Sequence, residues 1–119
     1  MIEDEFRNYL AAFNGCSTWG AVEQIFNKVF HPKLRVVLPD GMLNRDGWAK
    51  VVRRHLSSGT VLELLELERQ GDGLFYATRI RLDDGRELEP FTQALLEDEQ
   101  VIRIEPSVPE EYEQLFFLR

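Results

Sequence analysis

The feature that most constrains this chain is a change of hydrophobic period at Thr60. Before it, apolar residues recur every three or four positions, as on one face of a helix, with one short strand between. After it they alternate, as on one face of a sheet. The resulting order is helix, helix, strand, helix and then four strands. A chain so ordered is expected to be α+β: a curved, mixed or antiparallel sheet wrapped around three N-terminal helices, forming a cone that encloses one pocket. At 119 residues and 44% hydrophobic content it is long enough for one core and too short for two, so residues 1–119 are read as a single domain.

Ile2, Phe6, Tyr9, Leu10 and Phe13 recur at helical spacing and Asn14-Gly15 supplies a stop, which predicts a helix over 2–14. Ser17 or Thr18 is placed to cap a second helix with Trp19, Val22, Ile25, Phe26, Val29 and Phe30 on one face, ended by Pro32. Leu34 to Leu38 reads as a short strand closed by the turn Pro39-Asp40-Gly41. Asn44 is the expected cap of a third helix carrying Trp48, Val51, Val52, His55 and Leu56, which Ser57-Ser58-Gly59 ends. The stretch 61–70 is rich in Leu and Glu and has helix propensity, but it stands directly before a Gly-Asp-Gly turn and a clear strand, so it is read as a strand.

In 74–82, Tyr76, Thr78, Ile80 and Leu82 alternate with Phe75, Ala77, Arg79 and Arg81. In 87–96, Leu88, Pro90, Thr92, Ala94 and Leu96 alternate with Glu87, Glu89, Phe91, Gln93 and Leu95. The first set of each pair is assigned to the face against the helices and the second to the outside. Outward Phe75, Phe91, Leu95 and Val101, mixed with Arg79, Arg81, Gln93 and Arg103, form the kind of patch through which a homodimer packs. Pro106 and Pro109 bracket a loop before Glu110 to Leu118, an amphipathic segment whose Tyr112, Leu115 and Phe116 are expected to close over one end of the sheet.

Eight Phe, three Tyr and two Trp supply bulk for both a core and a cavity lining. A net charge of −7 without any Lys/Arg run opposes the counterion release that drives nucleic-acid binding, and it disfavours an anionic membrane surface. One cysteine, Cys16, excludes an internal disulfide and a thiolate zinc cage, which suits a reducing, cytoplasmic setting. Met1-Ile-Glu-Asp-Glu-Phe6 carries three acids where a signal peptide needs basic residues and a long apolar run, so the mature protein is expected to be the whole chain. No stretch reaches the roughly 18 apolar residues of a membrane span.

The segment Asn8-Tyr-Leu-Ala-Ala-Phe-Asn-Gly15 is similar to the first-helix stretch of ketosteroid isomerases. Ile25-Phe-Asn-Lys-Val-Phe30 followed by Val36-Val-Leu-Pro-Asp-Gly41 is similar to the passage from second helix to first strand in the same group. With the element order, the chain resembles the nuclear transport factor 2-like fold, in particular its SnoaL-like and ketosteroid-isomerase-like members. The resemblance implies that Tyr9 donates a hydrogen bond to an oxyanion. It also sets Leu38 near the place of the general base, with Asp40 beyond Pro39, and Thr92 near the place of the second acid. Steroid isomerisation needs both acids, so the resemblance points away from that reaction.

The candidate catalytic set is therefore Tyr9 as donor with His55 or Asp40 as base, and the candidate ligand contacts are Tyr9, Trp19, Trp48, Tyr76, Thr78 and Thr92. Plainer roles stand beside these: a core tyrosine, a satisfied semi-buried His55, a helix-end His31 and core tryptophans. Asp40 in a turn, Asp46 in a first helical turn, and Glu89 and Glu105 across from Arg79, Arg81 or Arg103 suit surface roles. No ligand spacing for a metal, no phosphate-cradling glycine loop and no nucleophile elbow occurs, so no metal or cofactor is expected. The expected function is binding of a hydrophobic small molecule by a homodimer. The alternatives are a SnoaL-like cyclase, isomerase or dehydratase, and an adaptor that holds another protein on its outer sheet face.

Overall fold

Helix α1 (Ile2–Gly15) buries Ile2, Phe6, Tyr9, Leu10 and Phe13, the stripe its periodicity selects. The computed structural model describes residues 1–15, 18–39 and 41–107, so Cys16, Ser17, Asp40 and the amphipathic segment expected over 110–118 lie outside the described residues. Glu3, Asp4 and Glu5 in the first turn of α1 complement its dipole. At the other end, the Asn14 carboxamide bonds the backbone of Leu62 twice, accepting from its N–H at 2.9 Å and donating to its C=O. The side chain behaves as one more rung of a strand ladder and fixes α1 to the sheet edge.

Helix α2 spans Trp19–Val29 and buries Val22, Phe26 and Val29, with Thr18 at the cap position but making no side-chain cap bond. The helix does not run on to Pro32 as expected. Phe30 takes extended backbone angles (φ −103°, ψ 126°) and opens strand β1 (Phe30–Leu38), because Pro32 disfavours helical geometry at His31 and pairing with the sheet captures the segment. His31 is thus a strand residue, its Nδ1 accepting from the Lys33 N–H and its Nε2 lying 3.8 Å from Glu97.

A strand that the sequence reading took for a turn follows: β2 (Gly41–Asn44) folds back on β1, pairing Leu38 with Gly41 and Arg35 with Asn44. Asn44 then caps α3 (Arg45–Ser57), its side chain accepting from the Gly47 N–H at 2.8 Å. After α3 come β3 (Val61–Gln70), β4 (Gly73–Arg81), β5 (Glu87–Leu88), β6 (Phe91–Glu97) and β7 (Gln100–Ser107). The expected strand over 87–96 is split at Glu89-Pro90, since proline gives no N–H to the ladder.

The seven strands form one sheet in the order β2-β1-β7-β6-β4-β3, with β5 beside β4. Only β1 and β7 run parallel. Register shifts occur in three pairings, β1–β7, β3–β4 and β6–β7, and in the last two a single extra residue resets which residues face inward. Leu65 on β3 is extra relative to β4, and Ile102 on β7 is extra relative to β6. The second overturns an expectation: Val101, read as outward, is fully buried, because the extra residue shifts the alternation by one. Inward faces of β4 and β6 otherwise follow the alternation, with Tyr76, Thr78, Ile80, Leu82, Leu88, Thr92, Ala94 and Leu96 all buried.

The β6–β7 turn holds Asp98 and Glu99 at positive φ (55° and 59°), a conformation costly for residues with a Cβ. A fork from Arg69 on β3 grips the Glu99 carboxylate at 2.6 and 2.8 Å and lies 3.7 Å from Glu3 on α1. The hairpin tip, the β3 edge and the start of α1 are joined at this point. Helix α1 packs along α2 and β3, and α3 packs on β1 and β2, so the helices cover the inner sheet face.

Candidate functional site

The inner face and α1 do not meet completely. Between them lies a cavity of about 70 Å³, with Tyr9, Tyr76, Thr78 and Thr92 as its polar lining and Phe6, Leu10, Phe30, Ile80 and Ile104 as the main apolar walls. Half-buried Trp48, Leu62 and Pro106, with Pro90, complete the lining. Seventy cubic ångströms holds about two waters, well below the roughly 300 Å³ of the smallest ordinary ligand pockets. Aromatic rings take up the rest of the space. The Phe6 and Tyr76 rings lie 4.5 Å apart, and Tyr9 meets Phe30 edge-on at 5.4 Å.

Burial sets the chemistry of the two tyrosines. Tyr9 is 4% and Tyr76 7% exposed, and taking a phenolate out of water pushes both phenols well above the usual tyrosine range. The charge of a neighbouring Tyr76 phenolate pushes Tyr9 further up, while a hydrogen bond with Thr92 acts on Tyr76 in the opposite sense. Both phenols therefore stay protonated and serve as donors, never as bases. Tyr76 has Thr92 as its partner, and the Tyr9 hydroxyl is not among the buried side-chain polar atoms left without a partner in the described residues.

Five of the candidate residues, Tyr9, Trp48, Tyr76, Thr78 and Thr92, line this one cavity. Trp19 and His55 do not. The Trp19 indole N–H donates to Glu23 at 2.8 Å, its ring packs edge-on against Phe26, and the Arg53 guanidinium lies 5.8 Å from its centre. His55 is buried at the end of α3 with Nδ1 3.1 Å from the Thr60 hydroxyl. Asp40 falls outside the described residues. Leu38, near the place of an isomerase base, is a buried apolar residue apart from the cavity lining.

The cavity lining among the described residues contains no Asp, Glu, His, Lys or Arg. Glu89 and Glu105 lie outside it, 3.6 Å from Arg79 and 2.6 Å from Arg103 respectively. No cluster of three or more His, Cys, Asp or Glu suited to a metal ion occurs among the described residues. Sequence reasoning passed over Phe6, Phe30 and Ile104 as cavity walls. Phe6 shares the helical face of Tyr9 and Ile104 stands opposite inward Ala94 in the expected alternation, so both were readable, whereas Phe30 depends on the early start of β1.

No protein-family model matches this chain, and no curated protein matches it. Solved structures do. A nuclear transport factor 2-like protein of unknown function from Cytophaga hutchinsonii superposes with a TM-score of 0.72 at 12% identity, covering 98% of this chain and 95% of that one. A proposed ketosteroid isomerase from Kribbella flavida gives 0.73 at 18% identity over 92% of this chain and 78% of that one. A proposed SnoaL-like polyketide cyclase from Jannaschia sp. gives 0.73 at 11% identity, over 98% and 90%. Three helices against a curved seven-stranded sheet are thus the nuclear transport factor 2-like α+β cone. At such identities the likeness establishes the fold and leaves function to the site.

Proposed function

We propose that this chain is a cytoplasmic, homodimeric small-molecule-binding protein whose cavity accepts a small, uncharged, largely apolar molecule bearing one hydrogen-bond acceptor. The observation that carries the reading is Tyr9, a phenol that burial keeps protonated, on the lining of a cavity walled by aromatic and aliphatic groups. A carbonyl or ether oxygen accepts from that phenol, and the walls take the hydrocarbon. A carboxylate ligand is disfavoured because the described lining has no cation to offset its desolvation. The neighbouring structures named for isomerase and cyclase activity support a pocket use of this fold. Proton transfer is the weaker reading here, since the described lining offers donors but no base. Absence of a helix long and apolar enough to cross a membrane, among the described residues, is consistent with the proposed location.

The reading predicts a split between stability and affinity. Calorimetric titration is expected to show acetone, which is about the size of the cavity, binding to the wild-type chain, with acetate giving no heat. Tyr9→Phe is expected to weaken the ketone about tenfold while leaving the unfolding midpoint little changed, because it keeps the ring that packs on Phe26 and Phe30. Equal ketone affinity in the two chains, or a Tyr9→Phe chain that is markedly less stable, contradicts the assignment.

A further inference from the structure

Of the four asparagines in the chain, Asn14 alone precedes a glycine. It is exposed, one residue before the end of α1, and its carboxamide accepts from the Leu62 N–H at 2.9 Å while donating to the Leu62 C=O. Leu62 lies on the edge strand β3 and reaches the cavity lining, so these two bonds hold the last turn of α1 against one cavity wall. An asparagine before glycine carries a chemistry of its own. With no Cβ in the way, the glycine nitrogen reaches the side-chain carbonyl carbon once the segment leaves helical geometry. Nothing among the described residues requires glycine there, since Gly15 is helical and a Cβ built on it would meet no neighbouring atom within 4 Å.

We infer that Asn14-Gly15 is a self-modification site: the clasp on Leu62 keeps it unreactive in the folded chain, and once the end of α1 opens it deamidates and the clasp is lost for good. In the reaction the Gly15 nitrogen bonds to the Asn14 side-chain carbonyl carbon, the carbon–nitrogen bond of the carboxamide breaks, and the Gly15 proton leaves with the amine as ammonia. Water then opens the cyclic imide at either carbonyl, leaving an aspartyl or isoaspartyl link at position 14. Water enters, ammonia leaves, and no redox partner is needed. Two features restrain the folded chain. Leu62 engages both the oxygen and the nitrogen of the carboxamide, and helical backbone keeps the Gly15 N–H in the hydrogen-bond ladder of α1. The product cannot restore the clasp. A carboxylate has no proton to donate, so its second oxygen meets the Leu62 C=O unfavourably, and its charge stands at the C-terminal end of a helix with no basic residue in its last turn. A transient opening of one helix end is thereby turned into a lasting loss of stability.

Mass spectrometry with peptide mapping of the full chain, incubated at mildly alkaline pH with and without urea, tests this. In urea, conversion is expected at Asn14 ahead of Asn8, Asn27 and Asn44, and Gly15→Ala is expected to slow it about tenfold. Without urea the rate at Asn14 is expected to fall by about tenfold or more, since only the opened fraction reacts. Conversion as fast in the folded chain as in urea, or no preference for Asn14 in urea, overturns the site. The clasp has its own readout in Asn14→Asp. Its urea midpoint is expected to lie below that of wild type at neutral pH and to approach wild type at about pH 3, where a protonated carboxyl again donates to the Leu62 C=O. No deficit at neutral pH, or one that persists undiminished in acid, overturns the clasp.

Discussion

Replacing Phe26 with alanine is expected to lower the unfolding free energy by about 3–5 kcal/mol. Its ring is 1% exposed and lies at the junction of three others, 4.7 Å from Phe30, 5.1 Å from Trp19 and 6.2 Å from Tyr9. Truncation removes the transfer energy of the ring and leaves a void that α2 and β1 cannot both close, because β1 is held by pairing on each side. In a domain with a total stability of about 5–15 kcal/mol, that is a large share. Urea denaturation is expected to show a lower midpoint with unchanged slope. The substitution also reaches the cavity, since Phe30 and Tyr9 lean on Phe26 from its lining. A loss below about 1 kcal/mol contradicts a close-packed cluster behind the site.

The second large effect is alkaline. With Tyr9 and Tyr76 raised above the ordinary tyrosine value of 10.0, folded and unfolded chains hold the same phenolic protons below pH 10. Above it the unfolded chain releases them and the folded chain does not. The unfolded state then binds fewer protons, so stability is present in full below pH 10 and falls as pH rises beyond it. Each tyrosine contributes a slope of about 1.4 kcal/mol per pH unit, about 2.7 for both. Other groups titrate in this range, so the informative quantity is a difference: Tyr76→Phe is expected to reduce the slope between pH 10 and 11.5 by about half of that sum. A slope that is the same in both chains, or phenolate absorbance at both tyrosines before unfolding, means that the cavity is wet and open.

Much of the container was legible. The inward stripe of α1 and the alternation of β4 and β6 identified Tyr9, Tyr76, Thr78 and Thr92 as neighbours, because a helix face and a sheet face have fixed periods. Strand β3 was legible from its position before a tight turn even though Leu and Glu favour helix. What escaped were departures from period. A single extra residue at Ile102 turned Val101 inward. Val29-Phe30 satisfies a helical stripe as well as the first residues of a buried strand, and only pairing with β7 decides between them. Pairing likewise made β2 out of residues that read as the end of a turn. How tightly Phe6, Phe30 and Tyr76 fill the cone depends on ring placement, which no pattern along the chain encodes.

The central claim is that the space between α1 and the inner sheet face binds a small neutral molecule through the Tyr9 hydroxyl. The most direct test is a titration of the isotopically labelled chain with acetone, followed by amide chemical shifts. Saturable shifts are expected at residues around Tyr9 on α1, Tyr76 on β4 and Thr92 on β6, and they are expected to weaken in Tyr9→Phe. Shifts confined to the outer face around Phe75 and Phe91, or none at saturating ketone, would contradict it.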